Sequence, residues 1–206
     1  MATEVFSLGH SSLPFERFVK LLKTAGVSAV ADVRSSPFSK RAPWFSQREF
    51  KAGLRENAIA YAFLGGELGG RPKAQGLFRA GVADYLAMAE TAAFKSGLDR
   101  LLQGIEKHRI ALVCSERDPL HCHRCLLVAR QLALRGVDTR HIRPDGSEET
   151  QKEAEERLLR EENLAADDFL WPKVERISEA YVRRNKQVAY SLNRSDTSES
   201  QWPSTR

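Results

Sequence analysis

Short apolar runs alternate with amphipathic helical patterns along the first 143 of the 206 residues, and this alternation constrains the possible folds most strongly. The strands predicted from this pattern occupy residues 5–8, 27–33, 59–64, 109–113 and 137–142. Strands that are separated by helices pair in parallel and are joined by right-handed crossovers. The sequence therefore predicts an α/β fold, a single three-layer, Rossmann-like domain with a mainly parallel five-stranded sheet.

Capping residues and helical spacing mark the segments between the predicted strands. Ser46 and Glu49 form a capping-box pattern that predicts a helix over 46–57. Further helices are predicted over residues 81–107, with a break near Ser96 and Gly97, and over residues 121–135.

The chain changes character after residue 143. Residues 147–163 carry seven acidic and three basic side chains, which predicts a solvated helix that docks through its few leucines. A second C-terminal helix is predicted over 173–190. The Ser- and Thr-rich segment 191–206 has little apolar surface to bury and predicts a disordered tail. Residues 1–190 are therefore expected to form one domain.

Composition argues against a membrane protein and does not require a nucleic-acid partner. No apolar run approaches the roughly eighteen residues that a membrane span needs, and the N-terminus resembles no secretory signal. Lys and Arg number 32 against 27 Asp and Glu, and the resulting charge of +5 permits nucleic-acid binding without demanding it. The cytoplasm is the expected compartment, and the three cysteines are expected to be reduced there.

Open parallel sheets bind ligands outside the carboxyl ends of their strands. Glycines in the 65–70 loop, among them Gly69 and Gly70, allow a ligand to approach the backbone. They form neither a dinucleotide fingerprint nor a Walker A loop, so no cofactor follows from the sequence. The polar and thiol side chains that follow the predicted strands are the candidates for one shared site: His10, Ser11, Asp32, Arg34, Glu67, Cys114 and Glu116.

The densest group of reactive side chains lies in segment 114–125, CSERDPLHCHRC, where a predicted strand leads through an Asp-Pro turn into a helix. Unpaired backbone amides and the positive end of the dipole at the helix start favour an anion. Arg124 adds a positive charge in the first turn. The segment therefore predicts a site for phosphate or carboxylate, with Asp118 beside it.

Three kinds of chemistry fit this segment. A cysteine nucleophile, Cys122 or Cys114, would gain reactivity from the helix start and from the neighbouring arginine and histidine. The phosphatase loop is absent, because Leu120 stands where that loop needs arginine. Zinc could use Cys122, Cys125, His121 and His123, but Cys114 is the only other cysteine, and no metal is predicted.

Acid–base catalysis by carboxylates and histidines is the favoured chemistry. Asp32 or Glu116 would act as acid or base, and His10 or His123 would assist with protons. Structural roles are the alternative, in which Cys114 and Cys125 are small buried side chains, Asp118 is a turn or cap residue and His123 binds a carbonyl.

Segment 34–55 suggests a second kind of function. It carries six basic residues and one acidic residue, and Phe38, Trp44, Phe45 and Phe50 interleave with them. Aromatic side chains among cations can stack bases and hold phosphates. The alternative prediction is therefore a non-catalytic module that binds nucleic acid through residues 34–55.

Four ordered motifs resemble the domain-of-unknown-function family 488, namely SLGHSS, DVRSSPFSKR, ELGGRP and CSERDPLHCHR. The similarity extends over about residues 5–190 and includes AYVRRNKQVAY. The resemblance implies a single α/β domain with these motifs at one cleft, and it implies no reaction. His121 and Cys125 lie outside the matching pattern. The matching positions are His10, Ser11, Asp32, Arg34, Gly69, Gly70, Cys114, Glu116, Asp118, Cys122, His123 and Arg124.

These observations predict a cleft that binds a small anionic or nucleotide-like ligand and acts as a hydrolase or transferase. Arg34, Arg124 and the helix start would hold the anion. The expected catalytic residues are Asp32, Glu116, His10, His123 and Cys122. On this interpretation, Arg124→Ala abolishes ligand binding and leaves the melting temperature little changed.

Overall fold

The computed structural model of the protein describes residues 4–166 and 169–192. The strands are β1 Glu4–Gly9, β2 Ala29–Asp32, β3 Ala60–Phe63, β4 Phe78–Arg79, β5 Val82–Ala83, β6 Ile110–Cys114, β7 Asp138–Ile142 and β8 Glu148–Thr150. The α-helices are α1 Phe15–Thr24, α2 Gln47–Glu56, α3 Gly65–Leu68, α4 Tyr85–Ala89, α5 Ala92–Ile105, α6 Arg130–Ala133, α7 Gln151–Glu161 and α8 Lys173–Val188. A π-helical segment, Arg124–Ala129, leads into α6, and a 3₁₀ turn covers Pro119–His121.

The central sheet has the strand order β3-β2-β6-β1-β7-β8. Its first five strands in this order are parallel, and β8 pairs with β7 in the antiparallel direction. The α/β fold with a mainly parallel sheet is therefore confirmed. Helices cover both faces, which is why β2 and β6, apart from Asp32 at the end of β2, consist of small and apolar residues with little alternation in burial.

The antiparallel strand β8 is a sixth strand that the sequence did not predict. It lies within the segment 147–163, which was expected to be helical throughout. Three polar residues, Glu148, Glu149 and Thr150, show no apolar alternation, but their backbone extends the sheet beside β7. Helix α7 begins only at Gln151, after the hairpin has closed.

The helix predicted over 81–107 is also wrong in its bounds. Residues 82–83 belong to β5, and the helical part is divided into α4 and α5. The break lies at Glu90 and Thr91 rather than near Ser96 and Gly97. Thr91 begins α5 because its side-chain oxygen accepts a hydrogen bond from the Phe94 amide at 3.2 Å.

A capping box forms at a different helix from the predicted one. Thr150 and Glu153 exchange the two reciprocal hydrogen bonds at the start of α7. Ser46 does precede α2, but its hydroxyl makes no capping bond and lies 3.2 Å from the amide of Ser39. The side chain of Ser46 therefore stabilises the preceding loop.

Alternating residues of the strands build two cores, one on each face of the sheet. The α5 face buries Val5, Ala31, Val33, Leu112 and Cys114 together with residues of α5, α7 and the π-helical segment. The opposite, α1 face buries Phe6, Leu8, Val30 and Val113 together with α1 and α2. The parity of a residue along its strand therefore decides which face its side chain enters.

The described part of the C-terminal segment pairs with the small β4–β5 ribbon. Ser191 forms a bridge with Val82, and the amide of Leu192 donates to the carbonyl of Gly81 at 2.9 Å. The rest of the predicted tail, residues 193–206, lies outside the described residues. Among the described helices, none combines the length and the apolar character that crossing a membrane requires.

Candidate active site

The motifs predicted to converge follow neighbouring strands of the sheet. Strands β2, β6 and β1 are adjacent in that order, and their register places Gly9 beside Cys114 and Asp32 beside Val113. The carboxyl ends of these strands therefore share one edge. Beyond this edge, however, each side chain points to one face of the sheet or to the other, and position at a strand end does not predict which face.

Asp32 and Arg34 form a buried ion pair on the α1 face. Arg34 donates from Nε to Oδ1 at 2.8 Å and from Nη2 to Oδ2 at 2.6 Å, and the Tyr61 hydroxyl donates to Oδ2 at 2.9 Å. Asp32 is fully buried. Arginine and tyrosine thus bind both oxygens of Asp32, and the catalytic role predicted for this carboxylate stays a prediction.

His10 lies on the same face and is held by partners at both ring nitrogens. Its ring stacks on Phe45 with the centroids 4.3 Å apart, Nδ1 lies 2.9 Å from the carbonyl of Ser11, and Nε2 lies 3.3 Å from Arg34 Nη1. Burial and the charge of Arg34 lower the pKa of His10 to about 4. A neutral ring that donates from Nδ1 and accepts at Nε2 satisfies this geometry, so His10 orients Arg34.

Ser11 closes the turn after β1 and takes no part in the cleft lining. Its φ is 44°, and its amide donates to the carbonyl of Ser115 at 2.9 Å. Ser11 therefore acts through its backbone amide, which supports the 115–117 loop by this hydrogen bond.

Arg124 braces the loop that follows β6. Its side chain is fully buried, with Nη1 2.6 Å from the carbonyl oxygen of Glu116 and Nη2 3.0 Å from that of Arg117. Gly9 lies beneath the same loop, and a Cβ on it would come within 1.7 Å of the Glu116 oxygen. The guanidinium thus faces the protein's own carbonyls, and the binding of an anion by Arg124 stays a prediction.

Among the described residues, the charge of Arg124 has no carboxylate partner: its guanidinium forms no ion pair to Asp or Glu within residues 4–166 and 169–192. A buried cation needs a nearby negative charge to offset the loss of hydration. Burial lowers the pKa of Arg124, but a negative charge on the neighbouring Cys122 sulfur outweighs this effect and raises it.

Cys114, Cys122 and His123 form a buried group on the α5 face, which we call the thiol–imidazole group. The two sulfur atoms and Nδ1 of His123 all lie within 4.8 Å of one another. Nδ1 is 3.7 Å from the Cys114 sulfur and 3.8 Å from the Cys122 sulfur. On the other side of the ring, Nε2 lies 2.8 Å from the carbonyl oxygen of Val33.

The two thiols of this group have opposite pKa shifts. The hydrogen bond to Cys122 and burial raise the pKa of Cys114 well above its usual value. Burial opposes ionisation of Cys122 as well, but the hydrogen bond from Cys114 and the charge of Arg124 hold the pKa of Cys122 well below its usual value. The Cys122 thiolate also raises the pKa of His123, although burial alone would lower it. These opposite shifts of pKa favour ionisation of Cys122 over ionisation of Cys114.

Cys125 and His121 do not join this group. Cys125 points toward α7, where its sulfur lies 3.6 Å from the side-chain oxygen of Gln151, and burial raises the pKa of its thiol to about 12. His121 is exposed at the rim of the cleft. The zinc set considered from the sequence, in which Cys125 and His121 took part, is therefore not assembled.

Gly69 and Gly70 are packed against protein atoms, which identifies their role as close packing. A Cβ on Gly70 would lie 2.7 Å from Cγ of His123, and one on Gly69 would lie 2.3 Å from the carbonyl of Gly65. Gly70 also lines the cleft. Gly70 therefore lets the His123 ring approach the backbone.

Two acidic residues considered for the cleft are engaged elsewhere. Asp118 accepts a hydrogen bond from the amide of Leu120 at 2.9 Å and pairs with Arg157 at 2.9 Å. Burial alone would raise the pKa of Asp118, but the bonds from Arg157 and the Leu120 amide lower it to about 2. Glu67 pairs with Arg100. Asp118 is thus the turn cap that the sequence analysis gave as its structural alternative.

A polar cleft of about 480 Å³ opens above the thiol–imidazole group. Cys114, Cys122 and His123 form its floor, and Arg34 reaches its wall. Glu116 is exposed at its edge, where partial desolvation and the negative charge of Cys122 raise the pKa of the carboxyl. The rest of the lining comes from loops and from α8: Ser35, Ser36, Phe38, Gly70, Arg71, Tyr85, Ser115, His121, Val188 and Tyr190.

Arg71 and Tyr190 of the cleft lining were not among the candidate residues from the sequence, and Phe38 was named only as part of segment 34–55. Arg71 is exposed, and its guanidinium carbon lies 5.2 Å from the centroid of the Tyr190 ring. Phe38 and Tyr190 are 66% and 38% exposed although both are aromatic. Arg71 stands in the ELGGRP motif and Tyr190 in AYVRRNKQVAY, so motif membership was the available signal. No local pattern shows that they meet.

The aromatic residues of segment 34–55 are divided between core and surface. Phe45 and Phe50 are fully buried and pack edge to face with Phe18, whereas Phe38 and Trp44 are exposed. Two of the four rings expected to stack on nucleic acid are therefore unavailable. Phe45 and Phe50 fill the core of the α1 face, and nucleic-acid binding through segment 34–55 stays an alternative prediction.

The fold and this cleft define an α/β protein whose candidate site lies at the carboxyl edge of a parallel sheet, over two buried cysteines and a histidine. The chain belongs to the family described as domain of unknown function DUF488, which matches residues 14–131. The resemblance stated from the motifs is thereby confirmed. No curated protein and no solved structure matches the chain significantly.

Proposed function

We propose that the protein is an enzyme, a hydrolase or transferase, that binds a small anionic, nucleotide-like ligand in the cleft above the thiol–imidazole group. The observation that carries this proposal is the grouping of an accessible arginine, an accessible carboxylate and two exposed aromatic rings around one concave site. Clefts that combine a few polar groups with apolar walls are typical of small-molecule sites.

Arg71 is the residue that would hold the anion. It is exposed and lines the cleft, whereas Arg34 is already paired with Asp32 and Arg124 with loop carbonyls. Its guanidinium lies over Tyr190, which restricts the orientations that the side chain can take. A planar guanidinium presents paired donors that match the oxygens of phosphate or carboxylate.

Phe38 and Tyr190 favour a ligand with a flat ring. Large exposed aromatic side chains are costly to solvate and are concentrated where a ligand covers them. Both rings line the cleft. An aromatic base stacked on one of them, with its phosphate near Arg71, would place both the apolar and the charged part of a nucleotide.

Glu116 is the residue proposed to transfer protons. Its carboxyl is exposed at the cleft, and its backbone carbonyl is fixed by the hydrogen bond from Arg124. A carboxylate that is held in place beside a bound ligand can act as general base or acid. Asp32 and His10 are not part of this proposal, because their polar atoms are used within the α1 face.

The binding step is tested by calorimetric titration with adenosine and uridine monophosphates, and with the corresponding nucleosides as a comparison. We expect the monophosphates to bind more tightly, and Arg71→Ala to weaken them at least tenfold without affecting the nucleosides. Arg135→Ala is the matched control, since Arg135 is exposed and bonds only to Gln131 among the described residues. Equal affinities for monophosphates and nucleosides would refute the anion site.

The chemical step is tested with Glu116→Gln. This variant keeps the shape of the side chain and cannot act as a general acid or base. We therefore expect it to bind the monophosphates but to lose the hydrolysis or transfer of the nucleotide-like ligand. Retained turnover would exclude Glu116 as the proton-transferring group.

We also propose that the protein works in a reducing compartment such as the cytoplasm. Cys114, Cys122 and Cys125 are all free and buried, and two of them lie within 4.8 Å at the floor of the cleft. Reduced thiols at such a distance are maintained in the cytosol, where disulfides are rare.

A further inference from the structure

Two of the separations within the thiol–imidazole group are close to those between ligands of one tetrahedral metal ion. With Zn–S bonds of about 2.3 Å and Zn–N bonds of about 2.0 Å, a tetrahedral angle separates sulfur from nitrogen by about 3.5 Å and the two sulfurs by about 3.8 Å. Nδ1 of His123 lies 3.7 Å from the sulfur of Cys114 and 3.8 Å from the sulfur of Cys122. The two sulfur atoms lie within 4.8 Å of each other, so all three atoms are within reach of one ion.

The orientation of His123 is the one that a metal ligand requires. Metal-binding histidines donate their other ring N–H to a carboxylate or a backbone carbonyl, which fixes the tautomer. Nε2 of His123 lies 2.8 Å from the Val33 carbonyl oxygen, so Nε2 is the donor and the lone pair of Nδ1 can face the two sulfurs. This position of the ring requires glycine at residue 70, because a Cβ there would collide with the His123 ring.

We propose that Cys114, Cys122 and His123 bind a zinc ion at the floor of the cleft. Two thiolates balance the charge of Zn²⁺, and soft sulfur with imidazole favours zinc over magnesium or calcium. All three ligands are buried, which limits competition from water.

The fourth position of this ion faces the cleft. Structural zinc sites have four protein ligands, whereas catalytic sites have three and leave one position for water or substrate. The three ligand atoms lie beneath the open volume of the cleft, on whose edge Glu116 stands. An exchangeable ligand at this position is the chemistry that a metal-assisted hydrolase uses.

This inference stands on the ligand geometry and does not require a nucleotide as substrate. If the protein binds zinc but does not bind nucleoside monophosphates, the proposed ligand is wrong and the metal site remains supported. Nucleotide binding by a protein without metal affinity would do the reverse. The two proposals can therefore fail separately.

The test uses the full chain, purified under reducing conditions, incubated with Zn²⁺ or Co²⁺ and then dialysed. Elemental analysis is expected to give about one metal per chain, as for a single mononuclear site. The Co²⁺ form is expected to show thiolate-to-metal charge-transfer absorption in the near ultraviolet, which reports sulfur ligation independently of activity.

Cysteine-to-serine variants identify the ligands. We expect Cys114→Ser and Cys122→Ser to lower zinc affinity at least a hundredfold and to weaken the charge-transfer band. Cys125→Ser is the matched control, because Cys125 is also buried but contacts Gln151, and it should bind zinc like the unmodified chain. Circular dichroism of each variant establishes that it is folded, and His123→Gln supplies a third ligand change should one serine variant fail to fold.

Three results would overturn the proposal. The first is a folded, reduced chain that retains no metal after dialysis. The second is equal loss of zinc in all three serine variants, which would indicate a general effect of thiol loss. The third is a Co²⁺ form without charge-transfer absorption, which would place the metal on oxygen or nitrogen ligands elsewhere.

Discussion

Nη1 of Arg124 lies 2.6 Å from the carbonyl oxygen of Glu116, so a buried guanidinium fixes the backbone of a residue at the edge of the cleft. Nη2 makes a second bond to the next carbonyl, at Arg117. The loop after β6 is therefore held by a side chain from the π-helical segment that follows it.

Arg124→Ala should destabilise the protein strongly. The change leaves two carbonyls without their charged donor and opens a cavity, at a cost of about 3 kcal/mol. Urea unfolding measures this difference, and exposed Arg135→Ala should change the stability by less than about 0.5 kcal/mol. If Arg124→Ala instead leaves stability unchanged and abolishes ligand binding, Arg124 is the anion ligand that the sequence analysis predicted.

Gly70→Ala should displace His123 and damage the site more than the fold. The added Cβ would lie 2.7 Å from Cγ of His123, so the ring must move away from the two sulfurs. We expect zinc affinity and monophosphate affinity to fall together, with a loss of stability of about 1–3 kcal/mol. Gly76→Ala is the control, since a Cβ there meets no atom within 4 Å. Unchanged zinc affinity in Gly70→Ala would show that the ring position does not matter.

Phe38→Ala and Trp44→Ala distinguish the cleft from a nucleic-acid surface. Both rings are exposed and lie in the basic segment 34–55, but only Phe38 lines the cleft. A nucleotide in the cleft predicts that Phe38→Ala weakens monophosphate binding by about 1–3 kcal/mol and Trp44→Ala leaves it unchanged. Weaker binding of single-stranded RNA in both variants, with a steep dependence on salt, would favour the nucleic-acid module instead.

Stability should decrease as the pH falls below about 6.5, because His141 is buried as a neutral ring. Burial and the charge of Arg124 lower the pKa of His141 to about 3. Its ring lies between the Ser7 hydroxyl at 2.6 Å and the Gln151 side-chain oxygen at 2.8 Å. Between these pKa values the unfolded chain binds a proton that the folded chain does not, so unfolding becomes easier in acid. The stabilisation is fully present above the unfolded pKa.

His141→Gln tests this dependence by urea unfolding between pH 7.5 and pH 4.5. The variant should be less stable at pH 7.5. Near pH 5, however, the slope of its unfolding free energy against pH should be smaller than that of the unmodified chain, by about 1.4 kcal/mol per pH unit. His10, whose pKa burial lowers to about 4, contributes in the same direction and remains in both proteins. Parallel pH profiles for the two proteins would mean that His141 does not carry the effect.

The order of elements and the parallel sheet could be predicted from the sequence, because both depend on local patterns. Segments such as 27–33 and 109–113 are mostly apolar without alternation, as expected of strands that are buried on both faces. The segments between the strands have helical spacing. The strand β8 could not be predicted in this way, since Glu148 and Glu149 join the sheet through their backbone, beside β7.

The strand-end rule found the edge of the sheet but not the residues that face the cleft. His10, Asp32 and Cys114 all follow strands, yet the first two belong to the α1 face and Cys114 to the α5 face. One residue of register separates these outcomes, because alternate side chains point to opposite faces. Short-range spacing also suggested that Cys125 accompanies Cys122, whereas the partner is Cys114 on the preceding strand.

The sequence by itself determined the five parallel strands and most of the helices between them, and it indicated which motifs follow those strands at their carboxyl ends, since apolar periodicity and chain connectivity decide these properties. Only the tertiary structure decided that Arg124 faces carbonyls, that Arg71 and Tyr190 reach the cleft, and that Cys114 and Cys122, rather than Cys122 and Cys125, lie beside His123. Those relations depend on the direction of each side chain and on contacts between residues far apart in the chain, and no local pattern of residues contains either.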